Sequence, residues 1–257
     1  MRYYVVADVH SFYNELIKAL TEKGFFEDKE PHKLIVCGDL FDRGMQSAEL
    51  QDFIVDLMAK DEVILVRGNH EDLMMELLEN AAFYFDNDII CYHHWRNGTV
   101  RTLYMLTQMT IDTNTHKEIV DKMRTTPYIK DIIPATLDYF ETEHYVFVHG
   151  WIPTITTRSY GLEQYLPIDN WRKASKELWE KARWINGMDA CSQGIKEKDK
   201  TIVCGHYHCS WGHYYLERKG TEFGRYANYE PYYDDGIIAI DACTAESGKV
   251  NCIVLED

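Results

Sequence analysis

The chain has 257 residues, a formal net charge of −15 and 46% apolar residues. That acidity argues against non-specific nucleic-acid binding, which needs a basic footprint, and no apolar run reaches membrane-spanning length. Seven cysteines, an odd number without any Cys-x-x-Cys spacing, argue against a disulfide framework and a thiolate zinc site. With a first strand beginning at Arg2 and no room for a signal peptide before it, they point to a reduced, cytoplasmic setting.

Arg2–Ala7 reads as a buried strand ending in Asp8-Val-His10. Asp8 and His10, two residues apart on an extended backbone, point the same way and can reach one ion. Ser11 is a candidate N-cap for a helix with Phe12, Leu16, Ile17 and Leu20 on its buried face. Leu34–Cys37 is a second strand. It runs into Gly38-Asp-Leu-Phe-Asp-Arg-Gly44, and a helix over Met45–Lys60 follows with Leu50, Phe53, Ile54, Leu57 and Met58 on one face. Two carboxylates and a guanidinium therefore lie at a strand-to-helix turn, where α/β proteins bind ligands. Asp39 can bridge metal ions, and the planar fork of Arg43 can grip a phosphate. Val63–Val66 is a third strand, ending in Gly68-Asn69-His70-Glu71 before a helix with Leu73, Leu77 and Leu78 on one side.

Residues 81–142 are polar and aromatic, with a helical pattern, and read as an insertion over or beside the site. His93, His94 and His116 fall there and are expected to be surface or packing residues. Tyr145–Val148 is a fourth strand ending in His149-Gly150, and a charged helix follows over about Asn170–Ala182. Thr201–Cys204 is a fifth strand, ending in Gly205-His206-Tyr207-His208. A tyrosine-rich stretch, 211–233, could stack on a base or sugar, or pack an interface. Ile237–Ile240 and Val250–Leu255 close the chain as strands. No linker or repeat interrupts it, so a single domain over 1–257 is expected.

Five strand ends thus carry Asp8 and His10; Asp39 and Asp42; Asn69 and His70; His149; and His206 with His208. Oxygen and imidazole donors without thiolate suit Mn first, with Fe, Zn or Ni as alternatives. Bound cations would also reconcile an acidic protein with an anionic substrate. Asp-x-His, Gly-Asp-x-x-Asp-Arg-Gly, Gly-Asn-His-Glu, His-Gly and Gly-His, in this order, resemble the calcineurin-like metallophosphoesterases. The Asp-Arg-Gly ending and Glu71 are similar to the bacterial phosphoprotein (serine/threonine) phosphatases. So are Trp95-Arg-Asn-Gly98 with Thr102-Leu103, Tyr145-Val-Phe-Val-His149 and Ile240-Asp241-Ala242.

The resemblance implies an α/β fold, a two-sheet β-sandwich flanked by helices with metals at its edge. It implies that Asp8 and His10 hold a first metal, that Asp39 bridges, and that Asn69, His149 and His206 hold a second. In such a site, two ions roughly 3.5–4 Å apart share a bridging hydroxide that attacks phosphorus in line. Arg43 neutralises phosphate oxygens, with Asn69 as a further substrate contact. His70 acts as general acid, oriented by Asp42, and Glu71 is structural. Three departures stand out. His208 adds a histidine that resembles the phosphodiesterase members, where it joins the first metal site. Trp151 follows His149-Gly150 and could narrow the cleft. Arg183 follows Leu178-Trp179 at imperfect spacing for a second phosphate-binding arginine.

The expected activity is hydrolysis of phosphomonoesters, on a phosphorylated protein or a small phosphate ester. The alternative is a phosphodiesterase or dinucleoside-polyphosphate hydrolase. Asp42 and Glu71 weigh against the symmetrical dinucleoside-tetraphosphate enzymes. A metal-free scaffold would have lost ligands, and none is lost here.

Overall fold

The computed structural model describes residues 1–86, 92–109, 115–159 and 162–257. Strands β1 (Arg2–Val6), β2 (His32–Cys37) and β3 (Val63–Val66) are parallel neighbours. Each is followed by a helix: α1 (Tyr13–Lys23), α2 (Ser47–Ala59) and α3 (Asn69–Asp86). Helices α4 (Tyr92–Asn97), α5 (Thr99–Thr107) and α6 (His116–Met123) come next, then a π-turn over Tyr128–Ile132 and a short α7 (Ile133–Ala135). A second sheet is built from β4 (Phe140–Glu141), β5 (Tyr145–Phe147), β8 (Thr201–Cys204), β10 (Ile237–Ala239) and β9 (Tyr232–Asp234), in the order 4-5-8-10-9. Its three inner strands are parallel and its two edges antiparallel. Strands β6 (Thr154–Ser159) and β7 (Leu162–Pro167) form a separate antiparallel pair. Helices α8 (Lys176–Ala182), α9 (Gly187–Ser192), α10 (Cys209–Tyr215) and α11 (Thr244–Ser247) and strand β11 (Ile253–Glu256) complete the order, with β11 antiparallel to β1.

The period-2 alternation of side chains creates the layers. On β1 and β2, Val5, Ala7, Ile35 and Cys37 meet Phe147, Val203 and Ile238 of the other sheet in one buried cluster. The alternate residues Tyr4, Val6, Leu34 and Val36 face outward against Leu16, Leu20, Leu50, Ile54 and Leu77 of the helices. The second sheet repeats the scheme, with Val146, Val148, Ile202 and Cys204 outward against Trp151, Trp171, Trp179 and Met188. Each such buried aliphatic side chain contributes about 1.5–3 kcal/mol. The result is helix, sheet, sheet, helix, with the carboxyl ends of the six parallel strands, β1, β2, β3, β5, β8 and β10, on one edge.

Several local expectations change. Ser11 does not cap α1: the helix starts after Phe12, without a side-chain cap, and the buried Ser11 Oγ instead lies 2.9 Å from Ser47 Oγ. The segment expected as a helix over Asn170–Ala182 is a 3₁₀ turn at Trp171–Lys173 and then α8, separated by extended backbone at Ala174 and Ser175. The 81–142 stretch begins inside α3 and ends in β4, whose approach is fixed where Leu137 N–H donates to the Leu65 carbonyl. Its residues 87–91 and 110–114 lie outside the described ones. The β6–β7 pair was not anticipated, although Thr-Ile-Thr-Thr is a β-branched run.

Candidate metal centre

The strand ends do not simply run out; they turn through left-handed corners. Asp8, His10, Asp39, Asp42, Arg43 and His206 have φ of 52°, 50°, 54°, 76°, 59° and 66°. Asp and His tolerate this region better than most side chains. The convergence of Asp8 and His10 therefore has a different cause from the shared face of an extended strand. Main-chain bonds clip the corners of β1 and β2 to each other: Asp8 N to Gly38 O at 3.2 Å, His10 N to Asp39 O at 3.0 Å, and Ser11 N to Leu40 O at 2.8 Å.

Asp39, only 2% exposed, is the pivot. Its Oδ2 lies 3.8 Å from His10 Nε2 and 3.7 Å from His70 Nε2. Its Oδ1 lies 3.4 Å from His149 Nε2. The two oxygens of one carboxylate thus address two separate imidazole groups, His10 with His70 and His149 with His206. Asp8 stands close by, with Oδ1 4.0 Å from His10 Nε2 and Oδ2 accepting the His206 backbone N–H at 2.8 Å. Asn69 Oδ1 is 2.8 Å from His149 Nε2. The rings are oriented from behind: His10 Nδ1 bonds the Phe41 carbonyl at 2.9 Å and His149 Nδ1 the Cys37 carbonyl at 2.8 Å. Both rings therefore turn Nε2 into the centre, with the outer nitrogen fixing the tautomer. The backbones can come this close only without a side chain at Gly68 and Gly205. A Cβ on Gly68 would sit 2.1 Å from Asp39 Oδ1, and one on Gly205 2.2 Å from Asp8 Oδ2.

Four side chains, His70, Asp42, Arg43 and Glu71, shape the site further. His70 Nδ1 donates to Asp42 Oδ2 at 2.7 Å, and Asp42 also accepts from Thr99 Oγ1 at 3.1 Å and Thr102 Oγ1 at 2.6 Å. Asp42 is thus a buried, fully engaged carboxylate and not the cap of α2. An Arg43 guanidinium nitrogen lies 3.3 Å from His70 Nε2. Glu71 accepts three backbone N–H groups, from Asp39 at 3.1 Å, Leu40 at 3.1 Å and Gly68 at 2.8 Å. It locks the turn carrying Asp39 to the start of α3.

Burial would raise the Asp39 carboxyl, but the His149, His70 and His10 imidazoles outweigh it and hold the group well below its ordinary range. Asp8 is pushed up by burial and by the neighbouring Asp241 charge. Burial lowers His149, yet the Asp39 carboxylate more than compensates and brings it to about 10. His206 is lowered to about 3 by burial and by the charge on His149, and His10 falls well below its usual value through burial and Arg43. Buried carboxylates facing imidazole nitrogens, with no thiolate among them, are a donor set for hard or borderline cations. They fit the two ions that the sequence implies.

His208 is not drawn into either group: its Nε2 is 3.1 Å from Glu222 Oε1, and its ring packs 4.7 Å from that of Phe223. Arg183 is 4% exposed and held by Asp72 at 2.6 Å and by Asp138. Trp151 is buried in the outer core, its indole N–H on the Ile195 carbonyl at 3.1 Å, and does not narrow the cleft. His94 lies 2.6 Å from Glu76 and His93 is exposed, so both stay outside the centre. Sequence reasoning missed Thr99 and Thr102 as partners of Asp42. The signal was available in the Trp95–Leu103 likeness, whose Gly98 lets the chain touch Arg43: a Cβ there would meet Arg43 N at 2.3 Å.

A carboxylate shared between two imidazole groups, at the strand ends of a helix-flanked sandwich, defines a dinuclear hydrolase type of centre. The comparisons agree. The family model described as calcineurin-like phosphoesterase matches residues 1–239, and the chain belongs to that family. It is 38% identical over 77 residues to an asymmetrical bis(5'-nucleosyl)-tetraphosphatase, PrpE, of Bacillus velezensis, covering 27% of this chain and 30% of that protein. It is 39% identical over 71 residues to a symmetrical bis(5'-nucleosyl)-tetraphosphatase of Buchnera aphidicola, covering 28% and 24%. The matched region thus spans less than a third of these curated relatives. A cold-active protein tyrosine phosphatase of a psychrophilic Shewanella species has the same fold, with a TM-score of 0.50 at 15% identity, covering 100% of this chain and 75% of that one.

Proposed function

We propose that this chain is a metal-dependent phosphoric ester hydrolase, with residues 1–257 acting as one domain and phosphomonoesters as the preferred substrates. The observation that carries the reading is Asp39, whose two oxygens face two different groups of imidazoles at 3.4–3.8 Å. Asp8, His10 and Asp39 would hold one ion, and Asp39, Asn69, His149 and His206 the other, with Mn the first candidate. Such a pair of ions supplies a hydroxide-like water at neutral pH and polarises phosphate oxygens.

The protein's own groups would do the rest. Arg43 has no carboxylate partner among the described residues and lies at the mouth of the centre, free to turn its fork onto phosphate oxygens. Asp42 accepts the His70 Nδ1 proton, so Nε2 faces the site and can carry a second proton. That proton would pass to the departing alkoxide and leave the ring neutral; until then Asp42 stabilises the positive charge of the imidazolium. His208 and Arg183 have other partners and are given no part in catalysis. Phosphoproteins and small phosphate esters remain the two substrate types, and the free described cysteines support a cytoplasmic setting.

A second reading, hydrolysis of dinucleoside polyphosphates, is supported by the activities named for the two curated relatives. The test is Mn²⁺-dependent turnover of p-nitrophenyl phosphate, its bis ester, phosphopeptides and a dinucleoside tetraphosphate, beside the Asp39→Asn variant. Faster monoester than diester turnover supports the first reading. Preference for the tetraphosphate supports the second, and activity surviving Asp39→Asn would refute both.

A further inference from the structure

Trp184 is one of the large exposed apolar side chains, 47% accessible, yet its neighbours in sequence are buried: Arg183 is 4% exposed and Ile185 5%. Its backbone is pinned on every side. Arg183 is tied to Asp72 on α3 at 2.6 Å and to Asp138. Trp151 N–H donates to the Ala182 carbonyl at 3.1 Å, and the Trp184 N–H to the Lys181 carbonyl at 3.0 Å. The indole itself meets the His206 ring edge-on, with centroids 5.8 Å apart and planes at 84°. A rigidly mounted, uncovered indole beside the metal centre is a preorganised contact surface.

The same indole also lines a cavity of about 360 Å³, bounded by Thr154 and Ile155 of β6 and by Leu178 and Lys181 of α8. That volume lies in the range of small-molecule sites, which combine apolar walls with a few polar groups. Thr154 supplies one: it is 5% exposed, and its Oγ1 has no hydrogen-bond partner among the described residues. A buried hydroxyl left unpaired costs about 1–3 kcal/mol, so a ligand edge that bonds it once the Thr154 side chain turns toward the cavity is favoured over a hydrocarbon one. A phenyl ring offers no such edge; a nucleobase does.

We infer that Trp184, Thr154 and the cavity between them form a subsite for the base of a nucleoside phosphate whose phosphate lies at the metal centre. This rests on the phosphoester-hydrolase reading and narrows its substrate class. Arg183, in this arrangement, is a positioning residue for the indole.

The test is calorimetric binding of adenosine 5'-monophosphate and ribose 5-phosphate to the Mn²⁺-loaded full chain. Adenosine 5'-monophosphate should bind more tightly than ribose 5-phosphate. Trp184→Ala should weaken it by roughly 5- to 150-fold, the usual worth of stacking one base on an aromatic ring, and bring the two ligands close together. Trp184→Phe should restore most of the difference, and Thr154→Val should reduce it several-fold. Because Trp184 is exposed, its variants keep the core, which circular dichroism checks. Equal affinities in the unmodified protein, or a loss in Trp184→Ala shared by both ligands, would overturn the subsite. So would phenyl phosphate or a phosphopeptide gaining as much from Trp184 as the nucleotide does. Binding is scored separately from the turnover assay, so base-dependent binding alongside no hydrolysis in that assay would sink the hydrolase reading and not the subsite.

Discussion

Replacing Glu71 by Gln isolates what holds the bridging aspartate in place. Glu71 keeps its shape but loses its charge and one acceptor. Its Oε2 receives two N–H groups, from Asp39 and Gly68, and its Oε1 receives one, from Leu40. The cheaper orientation of the amide turns its NH₂ toward Leu40 and leaves that buried N–H facing a donor, at a cost of about 1–3 kcal/mol. The other two bonds survive as neutral ones, each weaker by roughly 1 kcal/mol than to a charged acceptor. We therefore expect about 3–5 kcal/mol of lost stability, read by urea unfolding at fixed Mn²⁺. Mn²⁺ affinity should fall as well, because the released Leu40 N–H adjoins Asp39 and the bond that holds the Asp39 backbone itself is weakened. A loss below about 1 kcal/mol with unchanged Mn²⁺ affinity would show that the loop is held without Glu71 and refute the reasoning.

His70→Asn should keep Mn²⁺ stoichiometry while slowing turnover of an alkyl phosphate by roughly 10²–10⁴-fold, the range of a positioned acid; steady-state kinetics and metal analysis check both halves. Asp39→Asn should lose both ions together and, with them, any rise in melting temperature on adding Mn²⁺. Asp28 is lowered from 3.8 to about 2 by the Tyr4 hydroxyl and by Arg2, each 2.7 Å away. The sign follows: its contribution is complete above the ordinary carboxylate value and fades as pH falls toward 2. Asp28→Asn should flatten the acid limb of an unfolding-versus-pH curve between about pH 4 and 2, with little change in shape above it.

The fold was legible where the hydrophobic period was unambiguous. The apolar runs at Val5, Ile35, Leu65, Val146 and Val203 are all strands, and the polar groups following them all reach one edge because parallel strands end together. What the sequence did not reveal depends on tertiary partners. Nothing local distinguishes Arg183, whose spacing suggested phosphate, from a structural arginine; only its contacts with Asp72 and Asp138 do. His208 reads as a ligand by its two-residue offset from His206, but His206 turns left-handed, and the offset then no longer brings the rings together. Trp151 looked like a cleft residue because it follows His149, yet the strand register turns it into the outer core. Glu71 was recognisable as structural, but its three backbone bonds, two of them reaching back to Asp39 and Leu40, were not.

The backbone of the site carries a cost that connects metal binding to folding. Among the described residues, seven of the twelve non-glycine ones with left-handed φ lie at the centre: Asp8, His10, Ser11, Asp39, Asp42, Arg43 and His206. At roughly 1 kcal/mol or more each, their sum is comparable with the whole net stability of a domain. Burial of Asp8, Asp39 and Asp241 in one place adds to it. The main-chain clips between β1 and β2 and the Glu71 bonds offset part of this, which is why they are where they are. Cations bound between these carboxylates would offset more, because their binding energy is available only to the folded chain. Metal affinity and fold stability are then two readings of one quantity. A substitution that relaxes a corner should raise stability without metal while weakening the metal's hold, and only sheet ends tied down this firmly can keep such corners ready.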